Sequence, residues 1–125
     1  MKNLFAIIIS FVIVAGVSSS CKKEILLPTV TTKDATKVEY QTATLNGEVT
    51  DNGGGTISER GFYYSTTQDF TPGGTGVTQV KNGSGDGAYS ADISGLSPMT
   101  TYYYQAYATN ETGTVYGTVK TFKTK

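Results

Sequence analysis

The chain has 125 residues, and ten Lys and Arg balance ten Asp and Glu, so it carries no formal net charge at pH 7. No run of basic residues offers an electropositive face to nucleic acid, and the absence of His removes the usual general base and metal ligand. With one Cys, no Trp, nine Tyr and fifteen Gly, the composition is that of a single strand-and-turn domain held by packing, because one thiol makes no disulfide framework.

Lys2 gives the chain a positive start, and Leu4 to Val17 is an apolar run broken only by Ser10. The run falls short of the about 20 apolar residues that span a hydrocarbon core, and it suits the apolar part of an export signal. Ser18, Ser19 and Ser20 supply small residues for cleavage, and Cys21 follows at once. The segment resembles a bacterial lipoprotein signal, in which the cysteine is lipidated and heads the mature chain. Ser18 stands where that pattern usually carries Leu. An ordinary signal peptide with an incidental cysteine and an N-terminal membrane anchor are the alternatives. The resemblance divides the chain into a signal at 1–20, a lipidated N-terminus and short tether at 21–27, and a domain at 28–125. It implies several acyl chains on Cys21, and two or more hold a protein stably where one binds only marginally. It implies an exported protein on a bacterial membrane, the outer one, and the Lys22-Lys23-Glu24 start leaves its periplasmic and surface faces both open. Residues 22–28, at about 3.3–3.6 Å each when extended, keep the domain within about 25 Å of the bilayer.

Beyond residue 24 no helical period survives, and period-two alternation takes over. Residues 29–32, after Pro28, read as an edge strand, since proline costs no ladder bond at a strand start. Residues 42–50 form the second strand, with Ala43, Leu45 and Val49 on one face and Thr44, Asn46 and Glu48 on the other. The glycine turn at 51–55 leads to a strand at 57–65, and a loop at 66–76 to a short strand at 77–80. A second glycine turn at 81–87 precedes a strand at 88–93 with Tyr89, Ala91 and Ile93 on one side. The clearest strand, 100–109, places Tyr102, Tyr104, Ala106 and Ala108 together. A turn at 110–113 and a strand at 114–124 complete the set. About seven strands with turn signals every 8–12 residues predict an all-β, immunoglobulin-like sandwich.

Leu96-Ser97-Pro98-Met99-Thr100-Thr101-Tyr102 resembles the L-x-P-x-T-x-Y segment of fibronectin type III domains. That resemblance gives Leu96, Pro98 and Tyr102 the parts of a tyrosine corner, the leucine packed beneath, the proline setting the turn and the phenol bonded back to upstream backbone. Residues 106–113 look like the family's strand F and following turn, and 43–47 and 59–62 match a version found in bacterial lipoproteins and tandem-repeat surface proteins. Leu45 takes the place where the family often buries Trp. No Arg-Gly-Asp stands in the 110–113 turn, so integrin-type adhesion does not carry over.

The mature chain shows no catalytic constellation, nucleophile elbow or phosphate loop, and no cofactor or metal is expected. Glu59 reads as half of a surface ion pair with Arg60 or a neighbouring strand. The Asp, Asn and Gly of 51–53 and 83–87 read as turn residues rather than calcium ligands. If Tyr102 and Tyr104 point inward, alternation sends Tyr103 and Tyr107 outward, and Phe62 and Tyr64 inward send Tyr63 outward. With Tyr116 these four rings form a candidate binding face, and Asn52 and Asn110 are candidate loop contacts. The alternative is that the rings only stabilise the sheet through cross-strand pairs. The reading is a non-enzymatic, membrane-anchored envelope lipoprotein whose domain meets a protein or glycan. The alternatives are a structural spacer or accessory subunit of an envelope complex, and a fragment of a tandem-repeat surface protein.

Overall fold

A computed structural model describes residues 23–125; the export segment and Cys21 lie outside the described residues. Among the described residues eight strands run in chain order: β1 (Thr29–Thr36), β2 (Ala43–Asp51), β3 (Glu59–Ser65), β4 (Thr78–Lys81), β5 (Gly87–Ile93), β6 (Thr101–Thr109), β7 (Thr114–Tyr116) and β8 (Lys120–Lys123). One sheet has the order β1-β2-β5 and the other β4-β3-β6-β7, with β8 also paired to β6. Every pairing is antiparallel. The expected all-β sandwich is present.

Period two builds its core. Ala43, Leu45 and Val49 of β2, Tyr89, Ala91 and Ile93 of β5, and Tyr102, Tyr104, Ala106 and Ala108 of β6 are all buried, with Phe62 between the sheets. The sheets approach closely at Gly47, where a Cβ would stand 3.1 Å from Ala106 Cβ and 3.2 Å from Phe62 Cε1. The Phe62 and Tyr89 rings pack 5.0 Å apart across the same gap. Buried phenols need partners: Tyr89 Oη lies 3.0 Å from both the Gly61 and Tyr107 carbonyls, and Tyr104 Oη donates to the Lys33 carbonyl at 2.7 Å.

Two strands depart from the sequence reading. β1 runs on to Thr36, past the expected end at 32, because Asn46 Nδ2 donates to the Asp34 carbonyl and to Thr36 Oγ1 and holds an irregular stretch after Lys33 on β2. A charged, irregular edge of this kind discourages pairing with another chain. The last strand is two strands, broken at 117–119. Thr32, buried on β1, accepts the Ala106 amide on its Oγ1 at 3.0 Å. A side chain at Gly117 would overlap that hydroxyl. β1 thus wedges against β6 at the point where β7 gives way to β8.

One pole of the sandwich carries the β2–β3 loop (52–58), the β4–β5 turn (82–86), the β6–β7 turn (110–113) and the N-terminal segment. The opposite pole carries residues 37–42, 66–77 and 94–100 together with Lys125, whose amide donates to the Glu39 carbonyl.

Candidate functional site: the tyrosine face and the N-terminal pole

The outer face of the larger sheet brings together three of the four predicted rings. Tyr63 packs 4.9 Å from Tyr107 and 6.1 Å from Tyr116, both in tilted geometry. Tyr107 opposes Gly61 on β3 and Tyr116 on β7. Its hydroxyl donates to Glu59 Oε2 at 2.6 Å and accepts from Gln79 Nε2 at 3.0 Å, and Gln79 also donates to Glu59 at 3.2 Å. Burial, reinforced by the bond to Glu59, pushes the Tyr107 phenol far above the ordinary tyrosine range. Burial also raises that of Tyr63, with Tyr116 and Glu59 adding to it.

The expectation of a fully exposed stripe is corrected here. Tyr107 does point away from the core, yet it is 1% exposed, because neighbouring side chains cover it. Tyr116 is 48% exposed and Tyr63 half-buried, so these two rings form the accessible surface. Tyr103 stands apart, opposite Ser65 and Thr121, with Gln105 between it and Tyr107 on the same face. Gln105 is itself buried and donates to the Gly117 carbonyl at 2.9 Å.

Of the two candidate loop contacts, Asn110 is buried and Asn52 partly exposed. Asn110 is 4% exposed. Its Nδ2 donates to the Leu26 carbonyl at 2.6 Å and the Asn52 carbonyl at 3.0 Å. Its Oδ1 accepts the amides of Thr112 at 2.8 Å and Gly113 at 3.2 Å. An amide side chain has two N–H donors and two acceptor lone pairs, and all four are in use. Asn52 accepts the Gly54 amide at 2.7 Å and donates to Asp86 at 3.0 Å. Asp51 accepts the Gly53 amide at 2.8 Å, so these oxygens close turns. Among the described residues no three acidic, His or Cys side chains gather as a metal site.

The same loops hold the N-terminal segment, which sequence reading left as a tether. The Leu26 amide donates to the Gly53 carbonyl at 2.9 Å, and Thr112 Oγ1 donates to the Ile25 carbonyl at 2.6 Å. Glu111 accepts the Thr56 amide at 2.9 Å, and that bond lowers its pKa from the usual carboxylate value. Residues 25–28 are therefore part of the folded pole. No sequence signal marks this strap, because its bonds run mostly through backbone carbonyls.

Arg60 and Glu59 do not pair with each other. Arg60 stacks its guanidinium 4.8 Å from the centre of the Tyr89 ring. It donates to the carbonyls of Asn82, Gly85 and Asp86 at 3.0, 2.9 and 3.0 Å, which makes it the clamp of the β4–β5 turn. At the far pole the Ser97 amide donates to the Oη of Tyr102, five residues further along the chain, at 2.8 Å, above buried Leu96 and beside exposed Pro98. This is the geometry of a tyrosine corner. Tyr102 also stacks on Phe122 at 5.4 Å. An open hollow of about 560 Å³, lined by Lys37, Glu39, Thr42, Thr44 and Asp92, lies near this pole.

No family model and no curated protein matches the chain. Solved structures do. The sensor domain of an anti-sigma factor from Pseudobacteroides cellulosolvens superposes with a TM-score of 0.59 at 22% identity, covering 81% of this chain and 97% of that domain. The sixth fibronectin type III domain of human fibronectin type III domain containing protein 3 gives 0.62 at 24% identity, covering 82% and 90%. A fibronectin type III domain derived from the human KIAA0970 protein gives 0.57 at 14% identity, covering 76% and 72%. With the strand order and the corner at Tyr102, these likenesses show that the chain has the fold of a fibronectin type III domain.

Proposed function

We propose that the chain is an exported bacterial lipoprotein, anchored to the outer membrane through acylated Cys21, whose one domain binds a protein or glycan without turnover. The observation that carries the binding part is the platform of Tyr63 and Tyr116 set on Tyr107, itself fixed by Glu59 and Gln79. A tyrosine presents a flat apolar body and a polar tip, which suits a sugar ring or a protein surface. Rings already held in place lose little freedom on binding. The export segment and the small residues before Cys21 support the anchor.

The experiment replaces Tyr63 and Tyr116 with Ser and keeps the buried Tyr107. Glycan arrays and pull-downs with the two proteins are expected to show at least about tenfold weaker binding by the variant, or about 1.4 kcal/mol. Equal binding would overturn the platform. Cys21→Ser is expected to abolish labelled-palmitate incorporation and release the domain from membranes; unchanged incorporation would overturn the anchor.

A second reading is that the domain is a spacer or accessory subunit of an envelope complex. The internal bonding of Asn110 favours it, since that loop amide is left with no free donor or acceptor for a ligand. It predicts co-purification with a neighbouring envelope protein that survives loss of both tyrosines.

A further inference from the structure

The strap at residues 25–28 fixes where an anchor at Cys21 can lie. Ile25 and Leu26 are bonded to Gly53, Asn110 and Thr112 of the loop pole. From Cys21 to Ile25 the chain can reach at most about 14 Å, at about 3.3–3.6 Å per residue. A free tether of seven residues would let the domain turn in any direction; this one leaves too little slack for that. The strap also holds two leucines outward, Leu26 59% and Leu27 51% exposed, while the backbone between them and the loops is pinned. Leucines held at a fixed place beside an acylated residue fit the boundary between headgroups and acyl chains.

We infer that the pole formed by the strap, the 52–58 loop, the 82–86 turn and the 110–113 turn is an interface with the lipid surface. This rests on the proposed anchoring at Cys21. Glu24, Asp51, Asp86 and Glu111 belong to this pole beside Lys23, so the contact is made by the leucines and the anchor's proximity, not by attraction to anionic lipid. The loops at this end are closed to a large partner. The hollow by Lys37 and Asp92 and the tyrosine corner face away from the membrane, at the other end of the strands. Tyr107 and Tyr116 lie toward the lipid end of the larger sheet, where β6 approaches the 110–113 turn, and Tyr63, opposite Gln105, lies at mid-strand.

The test uses the acylated full-length mature protein in phosphatidylcholine vesicles that carry a nitroxide quencher on the headgroup. Acylated Cys21 has no free thiol, so a fluorescent reporter is placed by Ser84→Cys in the 82–86 turn or by Gln68→Cys in the 66–77 loop. Both positions are exposed. The Ser84 reporter is expected to be quenched while the Gln68 reporter keeps its emission, in low and high salt alike. A Gly/Ser linker of about 12 residues placed between Lys22 and Lys23, spanning about 20 Å as a flexible coil, is expected to abolish the difference. Equal quenching at both positions, or a difference that survives the linker, would overturn the oriented interface while leaving the anchor intact. Protein that carries no labelled palmitate and does not float with vesicles would overturn the anchor, and the interface with it; flotation read before quenching separates the two failures.

Discussion

Asn110 ties the first described residues to the last turn of the larger sheet: its Nδ2 reaches the Leu26 carbonyl at 2.6 Å, across 84 positions of sequence. The same nitrogen holds the Asn52 carbonyl, and its oxygen caps two amides of its own turn. One side chain thereby joins the N-terminal strap, the 52–58 loop and the 110–113 turn.

Asn110→Ala removes all four bonds and leaves a small void in a place water reaches poorly. At about 0.5–1.5 kcal/mol net for each bond, with the sum less than additive, the expected loss is about 2–4 kcal/mol. Urea denaturation should show it as a lower midpoint at unchanged slope. Amide exchange should show more: the Leu26 amide loses its protection, whereas amides of the β2–β5 ladder are slowed or sped only as global stability dictates. Protection retained at Leu26 would mean that its bond to Gly53 and the Thr112 bond to Ile25 hold the strap without Asn110.

Thr32→Val is close to isosteric and removes the hydroxyl that accepts the Ala106 amide. That amide is buried. Leaving it unsatisfied is expected to cost about 1–3 kcal/mol, read as a fall in the denaturation midpoint. Valine keeps the volume, so a large loss here reports the orphaned N–H and not a cavity.

These two residues mark the limit of what the sequence discloses. Ala43, Leu45 and Val49 are legible as core because one buried face imposes a period of two on the chain, and the spacing of Leu96, Pro98 and Tyr102 is legible because the corner is local. The break at Gly117 is not, because its cause is a hydroxyl on β1 that binds β6 from 74 positions away. Alternation puts Tyr107 on the correct face and says nothing of its cover, which comes from Tyr63, Glu59 and Gln79 on other strands. Asn110 reads as an exposed turn residue because a turn asparagine looks alike whether its amide meets solvent or four backbone groups. The strap shows no alternation and so reads as linker.

The buried phenols predict an alkaline limit to stability. Burial raises Tyr89 and Tyr104 from 10.0 to about 12 in the folded chain, with Arg60 partly opposing the shift at Tyr89. The unfolded chain releases these protons near pH 10, while the folded one holds them. Their contribution is therefore complete below pH 10 and is lost as pH rises through about 12. Urea midpoints measured across this window should fall. Tyr89→Phe should lower stability at neutral pH and flatten the alkaline slope. A slope unchanged by that substitution would show that Tyr89 is not one of the linked groups.

Tyr107→Phe separates the ring from its hydroxyl. The ring keeps its place against Tyr63, so the platform survives, but Glu59 loses the donor that approaches it at 2.6 Å. Because the phenol is held protonated by burial, the bond is a neutral donor to a carboxylate, a stronger class than one between neutral groups. Partial exposure of Glu59 moderates it, and the expected loss of stability is about 1–2 kcal/mol. A double-mutant cycle with Glu59→Gln should return coupling of that size, since the two residues touch. Affinity for whatever the platform binds should fall less than it does for Tyr63→Ser with Tyr116→Ser, because only the platform's rigidity is altered and not its surface. If Tyr107→Phe instead abolished binding while the fold stayed intact, the hydroxyl itself would be the contact, and the platform would have to open to expose it.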